Sequence, residues 1–285
     1  MAEITPQLVK KIRDKTGAGM GDCKNARTEA NGDMDAAIEI LRKKGAASAA
    51  KRADRSANEG IILVKTLENG KESAIVEVNS ETDFVARNQG FVDFAHTVVD
   101  TLLSSNAKTI EEVLQLKAGN NTLEQLLNDV LAKFSEKIEI RRFEKINSNG
   151  YIADYIHAGS KLAVVIEASI AEPTEKSKVL IRDIAMQIAA MNPMFIDRSK
   201  VTDETIAKEK EIYREQAIAE GKKEDIADRI AQGRLEKFYQ EQCLVEQTFI
   251  KDPNKTVNDV IKEISEDCGQ EVKILSFRRY FLGEN

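Results

Sequence analysis

The amino-acid sequence predicts an α+β fold: a small helical module, two related sheet-and-helix units, and an antiparallel helical hairpin inserted into the second unit. Three observations predict it. Apolar residues in the first 45 positions recur at helical spacing between glycine-containing breaks. A strand-hairpin pattern that starts at Gly60 returns without a gap at Gly150. A highly charged helical stretch, 203–248, carries only narrow apolar seams.

The elements follow in order. Thr5-Pro6 reads as a helix start, with Leu8, Val9 and Ile12 on one face. Thr16-Gly17-Ala18-Gly19-Met20 breaks that helix, and a second runs to about Ala30. Asn31-Gly32 turns the chain, Asp33 caps a third helix through Met34, Ala37, Ile38 and Leu41, and Gly45 is expected to stop it. Residues 1–45 thus form a three-helix docking module whose small core leaves apolar surface to share. Residues 46–59, rich in small and basic residues, read as a solvated helix or linker.

In the first unit, 60–149, the runs 60–67 and 72–79 flank the hairpin signal Asn69-Gly70. At an offset of 90 (150 − 60), Gly60 matches Gly150, Ile62 matches Ile152, Lys71 matches Lys161 and Glu77 matches Glu167. The register continues into a helix, where Phe91, Phe94, Ala95 and Val98 match Ile181, Ile184, Ala185 and Ile188. The second unit therefore comprises 150–202 and 249–285. Between the units, Thr109…Glu112 and Thr122…Gln125 read as capping boxes, and Ile138–Phe143 alternates as a strand. The insertion turns at Gly221-Lys222-Lys223, with seams expected at Ile206, Tyr213 and Ala217, then Ile226, Ile230 and Phe238. A helix at Val257–Ser265 and a strand at Val272–Phe281 complete the chain.

Composition narrows the function. The 285 residues are 42% hydrophobic and 32% charged, as expected of a folded, well-solvated protein. A net charge of −6 opposes nucleic-acid binding as the main task, because neutralising phosphates needs a basic face. Cys23, Cys243 and Cys268 are too few and too dispersed for a disulfide framework or a metal cluster, and they suit a reducing compartment. The opening Met1-Ala2-Glu3-Ile4-Thr5 shows no signal pattern and no apolar run reaches membrane length, so a cytoplasmic chain that contacts no membrane is expected.

Catalytic motifs are missing. Gly17-Ala18-Gly19-Met20-Gly21 begins like a dinucleotide fingerprint, but Asp22 stands where the third glycine belongs and a helix precedes it. The only histidines are His96 and His157, and no zinc-protease, phosphate-loop or nucleophile-elbow pattern occurs. The chain is read as no enzyme. The basic cluster Arg42, Lys43, Lys44, Lys51, Arg52 and Arg55 offers the alternative of an RNA-binding accessory factor using segment 42–55, although no aromatics interleave for stacking.

After the first hairpin the repeat diverges: Asp83 and Phe84 stand opposite Pro173 and Thr174. Such a difference marks a function carried by one unit alone. The competing reading has Thr82 capping a helix while Phe84 staples its first turn to the core.

Ile12–Lys24, Val78–Arg87, Ile188–Pro193 and the run Lys237-Phe238-Tyr239 through Leu244–Gln247 closely resemble signatures of the translation elongation factor Ts family, in the family's order. The resemblance implies a ubiquitin-associated-like N-terminal module, two related core subdomains and a coiled-coil hairpin insertion. It implies guanine-nucleotide exchange on elongation factor Tu, with no cofactor of the chain's own and no direct contact with nucleic acid. Thr82, Asp83, Phe84 and Val85 are implied to act near the partner's Mg²⁺ site, Asp83 and Phe84 entering it and Thr82 and Val85 supporting them. Met20, Lys24 and His157 are further expected contacts, the last against the partner's third domain.

Overall fold

Val9 and Ile12 are fully or nearly buried on the inner face of helix α1 (Pro6–Thr16), where they meet Cys23 and Ala26 of α2 (Met20–Glu29) and Ala37 and Leu41 of α3 (Met34–Ala50). The computed structural model describes residues 5–16, 18–50, 52 and 54–284. The first four residues, Gly17, Lys51, Ala53 and Asn285 lie outside this set, and with them one glycine of the 17–21 run and one member of the basic cluster. Asn31 and Gly32 both adopt positive φ at the turn, and Asp33 accepts the Ala36 N–H at 2.8 Å as the cap of α3.

The expected stop at Gly45 does not occur, since α3 continues to Ala50. A β-carbon at Gly45 would sit 3.4 Å from the Ala132 side chain and 3.6 Å from the Asn128 carbonyl. Gly45 is buried against the helix that bears Asn128 and Ala132, and that tertiary packing carries α3 past a residue of low helix propensity.

Strands β1 (Glu59–Thr66) and β2 (Glu72–Ser80) form the first hairpin. Next come the four-residue helix α4 (Asp83–Ala86), α5 (Gln89–Leu103), α6 (Ile110–Gln115), a two-residue ladder of β3 (Lys117–Ala118) and β4 (Asn121–Thr122), and α7 (Leu123–Lys133). β5 (Ile138–Asn147) then pairs antiparallel with β2, giving the sheet order β1-β2-β5. The second unit repeats this with β6 (Tyr151–Ile156), β7 (Leu162–Ala168) and α8 (Glu175–Met191). Helices α9 (Asp203–Ala219) and α10 (Glu224–Gln242) interrupt it. The chain returns through β8 (Thr248–Phe249), β9 (Asp252–Thr256) and α11 (Val257–Cys268) to β10 (Ile274–Phe281), which completes the order β10-β7-β6. The fold is α+β, with small antiparallel sheets.

The 90-residue offset governs the sheet geometry. Ile62 pairs with Glu77 in one hairpin, and Ile152 with Glu167 in the other. A β-carbon on Gly60 would lie 2.1 Å from the Val78 carbonyl oxygen, and one on Gly150 would lie 1.9 Å from that of Ala168. The two hairpins also bond to each other reciprocally: Ile62 N–H donates to Ser160 O at 2.7 Å, and Ile152 N–H to Gly70 O at 2.8 Å. Each donor and acceptor in that pair is again displaced by 90, the signature of an approximate two-fold relation.

Strand alternation divides the core. Ile61, Leu63, Val76 and Val78 face α5, where Phe91, Phe94, Ala95 and Val98 are buried. Val164, Ile166 and Ala168 meet Ile181, Ile184, Ala185 and Ile188 of α8. The remaining inward residues, Ile62, Ile75, Ile152, Ala163, Val165 and Tyr280, pack sheet against sheet. Burial on both faces explains why the strands read as continuous apolar runs.

Two local expectations need correction. Thr122 makes a complete capping box with Gln125, but at Thr109 the Glu112 carboxylate takes the Lys108 N–H at 2.7 Å instead of that of Thr109. In α10 the buried seam is Ala227, Ala231, Leu235, Phe238 and Tyr239, whereas Ile226 is exposed and Ile230 half-buried. Alanines at the crossing let the two helices approach closely, which turns the bulkier isoleucines outward. Among the described residues no helix is long and apolar enough to cross a membrane.

Candidate partner-binding site

Strand β2 ends at Ser80, and the chain turns before α4. Thr82 is the N-cap, with extended backbone, and its Oγ1 accepts the Val85 N–H at 3.5 Å. Four residues form barely one turn of helix, too little to hold itself. Its conformation comes from tethers. Ser80 Oγ donates to Thr82 O at 2.9 Å. Thr82 N–H donates to Glu136 Oε2 at 3.0 Å, and Thr82 Oγ1 to Glu136 Oε1 at 2.6 Å. Lys137 N–H donates in return to Glu81 Oε1 at 2.5 Å.

On this anchored turn the predicted residues separate by face. Val85 is 8% exposed and belongs to the core of the first sheet, together with Ala86. Phe84 is 83% exposed. The staple alternative is therefore overturned: the hydrophobic anchor is Val85, and Phe84 stands clear of the core. Asp83 is half-exposed and pairs with Arg87 one turn later, Oδ2 to guanidinium 3.0 Å. The site thus presents an aromatic ring and a carboxylate side by side.

The other expected contacts lie on separate elements. Met20 and Lys24 are exposed one turn apart on α2, Met20 at 45%. His157 is exposed in the β6–β7 turn, its Nδ1 2.9 Å from the Tyr155 hydroxyl. The described members of the basic cluster are engaged within the chain. Arg42 pairs with Asp129 at 3.0 Å, Lys43 with Glu39 at 2.7 Å, Lys44 with Glu29 at 2.6 Å and Arg55 with Glu81 at 3.2 Å. Arg52 donates to the Phe134 and Glu136 carbonyls. Among the described residues no group of three or more His, Cys, Asp or Glu side chains is placed to hold a metal ion.

Sequence reasoning missed Glu136; it weighed Arg52 only within the basic cluster and Arg87 only as the end of a family signature, not as partners of this turn. Glu136 lies 54 positions from Thr82, and no local spacing signals such a pair.

The family model described as Elongation factor TS matches residues 81–284, beginning at the Glu81 turn. The protein named Elongation factor Ts of Chloroherpeton thalassium is 48% identical over 289 residues, covering 100% of both chains. The chain belongs to the elongation factor Ts family. Further relatives with that name come from Chlorobaculum tepidum, 45% identical over 99% of this chain and 100% of its own, and Clostridium perfringens, 43% identical over 99% and 93%. The relatives span the N-terminal module that precedes the family-model match. Membership in the elongation factor Ts family makes the chain an elongation factor of protein biosynthesis.

Proposed function

We propose that the chain is a cytoplasmic guanine-nucleotide exchange factor that binds elongation factor Tu carrying GDP. It promotes GDP release by inserting Asp83 and Phe84 near the partner's Mg²⁺ site, and it holds the nucleotide-free partner until GTP binds. The observation that carries this reading is an 83%-exposed phenylalanine on a turn tied down on both sides.

The chemistry is that of linked equilibria. A factor that binds the empty GTPase more tightly than the GDP-bound one must weaken GDP binding by the same factor. Burying Phe84 in an apolar gap of the partner supplies about 2 kcal/mol, roughly thirtyfold in an equilibrium constant. The Asp83 carboxylate brings negative charge toward a site where Mg²⁺ neutralises phosphate. Disturbing that neutralisation releases the nucleotide without any bond being made or broken, so the chain acts as no enzyme in the chemical sense. Val85 and Thr82 serve as the fixed base of the wedge, and Met20, Lys24 and His157 supply docking contacts around it.

The test is displacement of a fluorescent GDP analogue from elongation factor Tu by sub-stoichiometric chain. Multiple turnovers of accelerated release are expected. Release at the intrinsic rate would overturn the reading.

A further inference from the structure

The turn that presents Phe84 is gripped from a second loop, and the grip is reciprocal. Glu136, between α7 and β5, uses both carboxylate oxygens on Thr82, one for the backbone N–H at 3.0 Å and one for the hydroxyl at 2.6 Å. Glu81 uses its carboxylate on the Lys137 N–H at 2.5 Å and receives Arg55 at 3.2 Å. The second loop is itself secured by Arg52, whose guanidinium donates to Phe134 O at 3.1 Å and Glu136 O at 2.8 Å. A line of contacts thus runs from the segment following α3, through Arg52 and Glu136, to Thr82 and the helix that carries Phe84.

We propose that Glu136 is a positioning residue for nucleotide exchange, holding the Thr82 turn so that Phe84 is presented in its inserting geometry before the partner arrives. The proposal rests on the exchange reading above and adds the group that pre-organises its wedge. Phe84 makes no core contact that would fix it. Its direction is therefore set by the backbone of α4, and that backbone by Val85 below and Glu136 beside it. Hydrogen bonds to an ionised carboxylate are about twice as strong as neutral ones, and two to one residue fix orientation as well as distance. A pre-organised contact spares the ordering entropy that a loose loop gives up on binding. Docking contacts elsewhere would still form the complex without Glu136, but Phe84 would occupy the inserting pose for less of the time.

The test is the maximal rate and the half-saturating concentration of stimulated GDP release, in wild-type and Phe84→Ala backgrounds. Glu136→Ala should lower the maximal rate about tenfold and Glu136→Gln, which keeps one acceptor, about threefold, with half-saturation moving less than about twofold. In the Phe84→Ala background the further loss should be clearly smaller, because only Asp83 is then left for the held turn to present. An equal loss in both backgrounds would show general support of the fold and overturn the proposal. A slow Phe84→Ala beside a fully active Glu136→Ala would overturn it while leaving the wedge intact. A fully active Phe84→Ala would sink the wedge reading and this proposal together.

Discussion

Val85 is 8% exposed in the core of the first sheet, while Phe84, its neighbour on the same four-residue helix, leaves 83% of its surface open. Adjacent helical residues point about 100° apart, so a helix lying on a core can sink one and lift the other. An open phenylalanine forgoes about 2 kcal/mol of burial. In the proposed exchange role, burial of the ring against the partner recovers that energy.

Met20 and Lys24 present a small mixed surface one turn apart on α2. The double variant Met20→Ala/Lys24→Ala should weaken the complex with elongation factor Tu by about 1–2 kcal/mol, since exposed contact residues contribute to binding and little to folding. Calorimetric titration reads the affinity, and an unchanged melting temperature excludes a folding effect. His157→Ala should show the same pattern at smaller amplitude.

Arg27 is 5% exposed, and its Nε has no hydrogen-bond partner. Leaving a buried donor unsatisfied costs about 1–3 kcal/mol. Arg27→Met keeps an unbranched apolar stem and removes the donor, so it should raise stability by about that amount in thermal unfolding. A fall in stability would mean that the guanidinium finds a partner in solution.

Cys243 is buried beneath Phe195 and Phe238, and desolvation pushes its thiol up to about 11, with Glu246 adding to the rise. The folded state therefore keeps a proton that the unfolded chain loses near the ordinary thiol value, 9.0. Unfolded chains bind fewer protons in that window, so stability is full below pH 9 and declines as pH rises toward 11. Tyr280, also raised by burial to about 12, extends the decline upward. In melting curves across this range, Cys243→Ala should flatten the slope between pH 9 and 11. A slope equal to wild type would remove Cys243 as its source.

The α9–α10 hairpin buries small apolar residues along its own crossing, where Ala217 meets a seam of Ala227, Ala231 and Leu235, while Ile218 and Ile226 stay exposed among charged residues. Ala231→Leu should overfill that crossing and cost about 1–3 kcal/mol. Replacing the tip around Gly221 with a shorter turn should leave GDP release within about twofold of wild type, because the tip contributes little to the proposed interface. A tenfold slower release would place the tip in contact with the partner.

The repeat and its two hairpins were legible in the sequence because hairpin pairing is local, whereas the pairings of β5 with β2 and of β10 with β7 are long-range and were not. Asn69-Gly70 sets one hairpin, and Gly60 and Gly150 mark where a carbonyl of the paired strand leaves no room for a β-carbon. What escaped was tertiary. Gly45 reads as a helix stop until Ala132 is known to lie against it. Ile226 outranks Ala227 as a seam residue on hydrophobicity alone, yet the close crossing selects the alanine. A phenylalanine after a capping threonine looks like a staple, and only the path of the chain shows that Val85 took that place. The Thr82–Glu136 pairing has no sequence periodicity, since four helices and a short ladder lie between the two residues.

The central claim is that Phe84 acts on the partner and not on its own fold. Phe84→Ala should slow stimulated GDP release at least tenfold in stopped flow, while the chain's melting temperature stays within about 2 °C of wild type, as expected when an exposed ring is truncated. Asp83→Ala, measured alongside, should lower exchange independently, its helix-start charge contributing only about 0.3–1 kcal/mol to folding. A loss of about 3–5 kcal/mol in stability, with normal exchange per folded molecule, would contradict the account, for that is the behaviour of a buried phenylalanine.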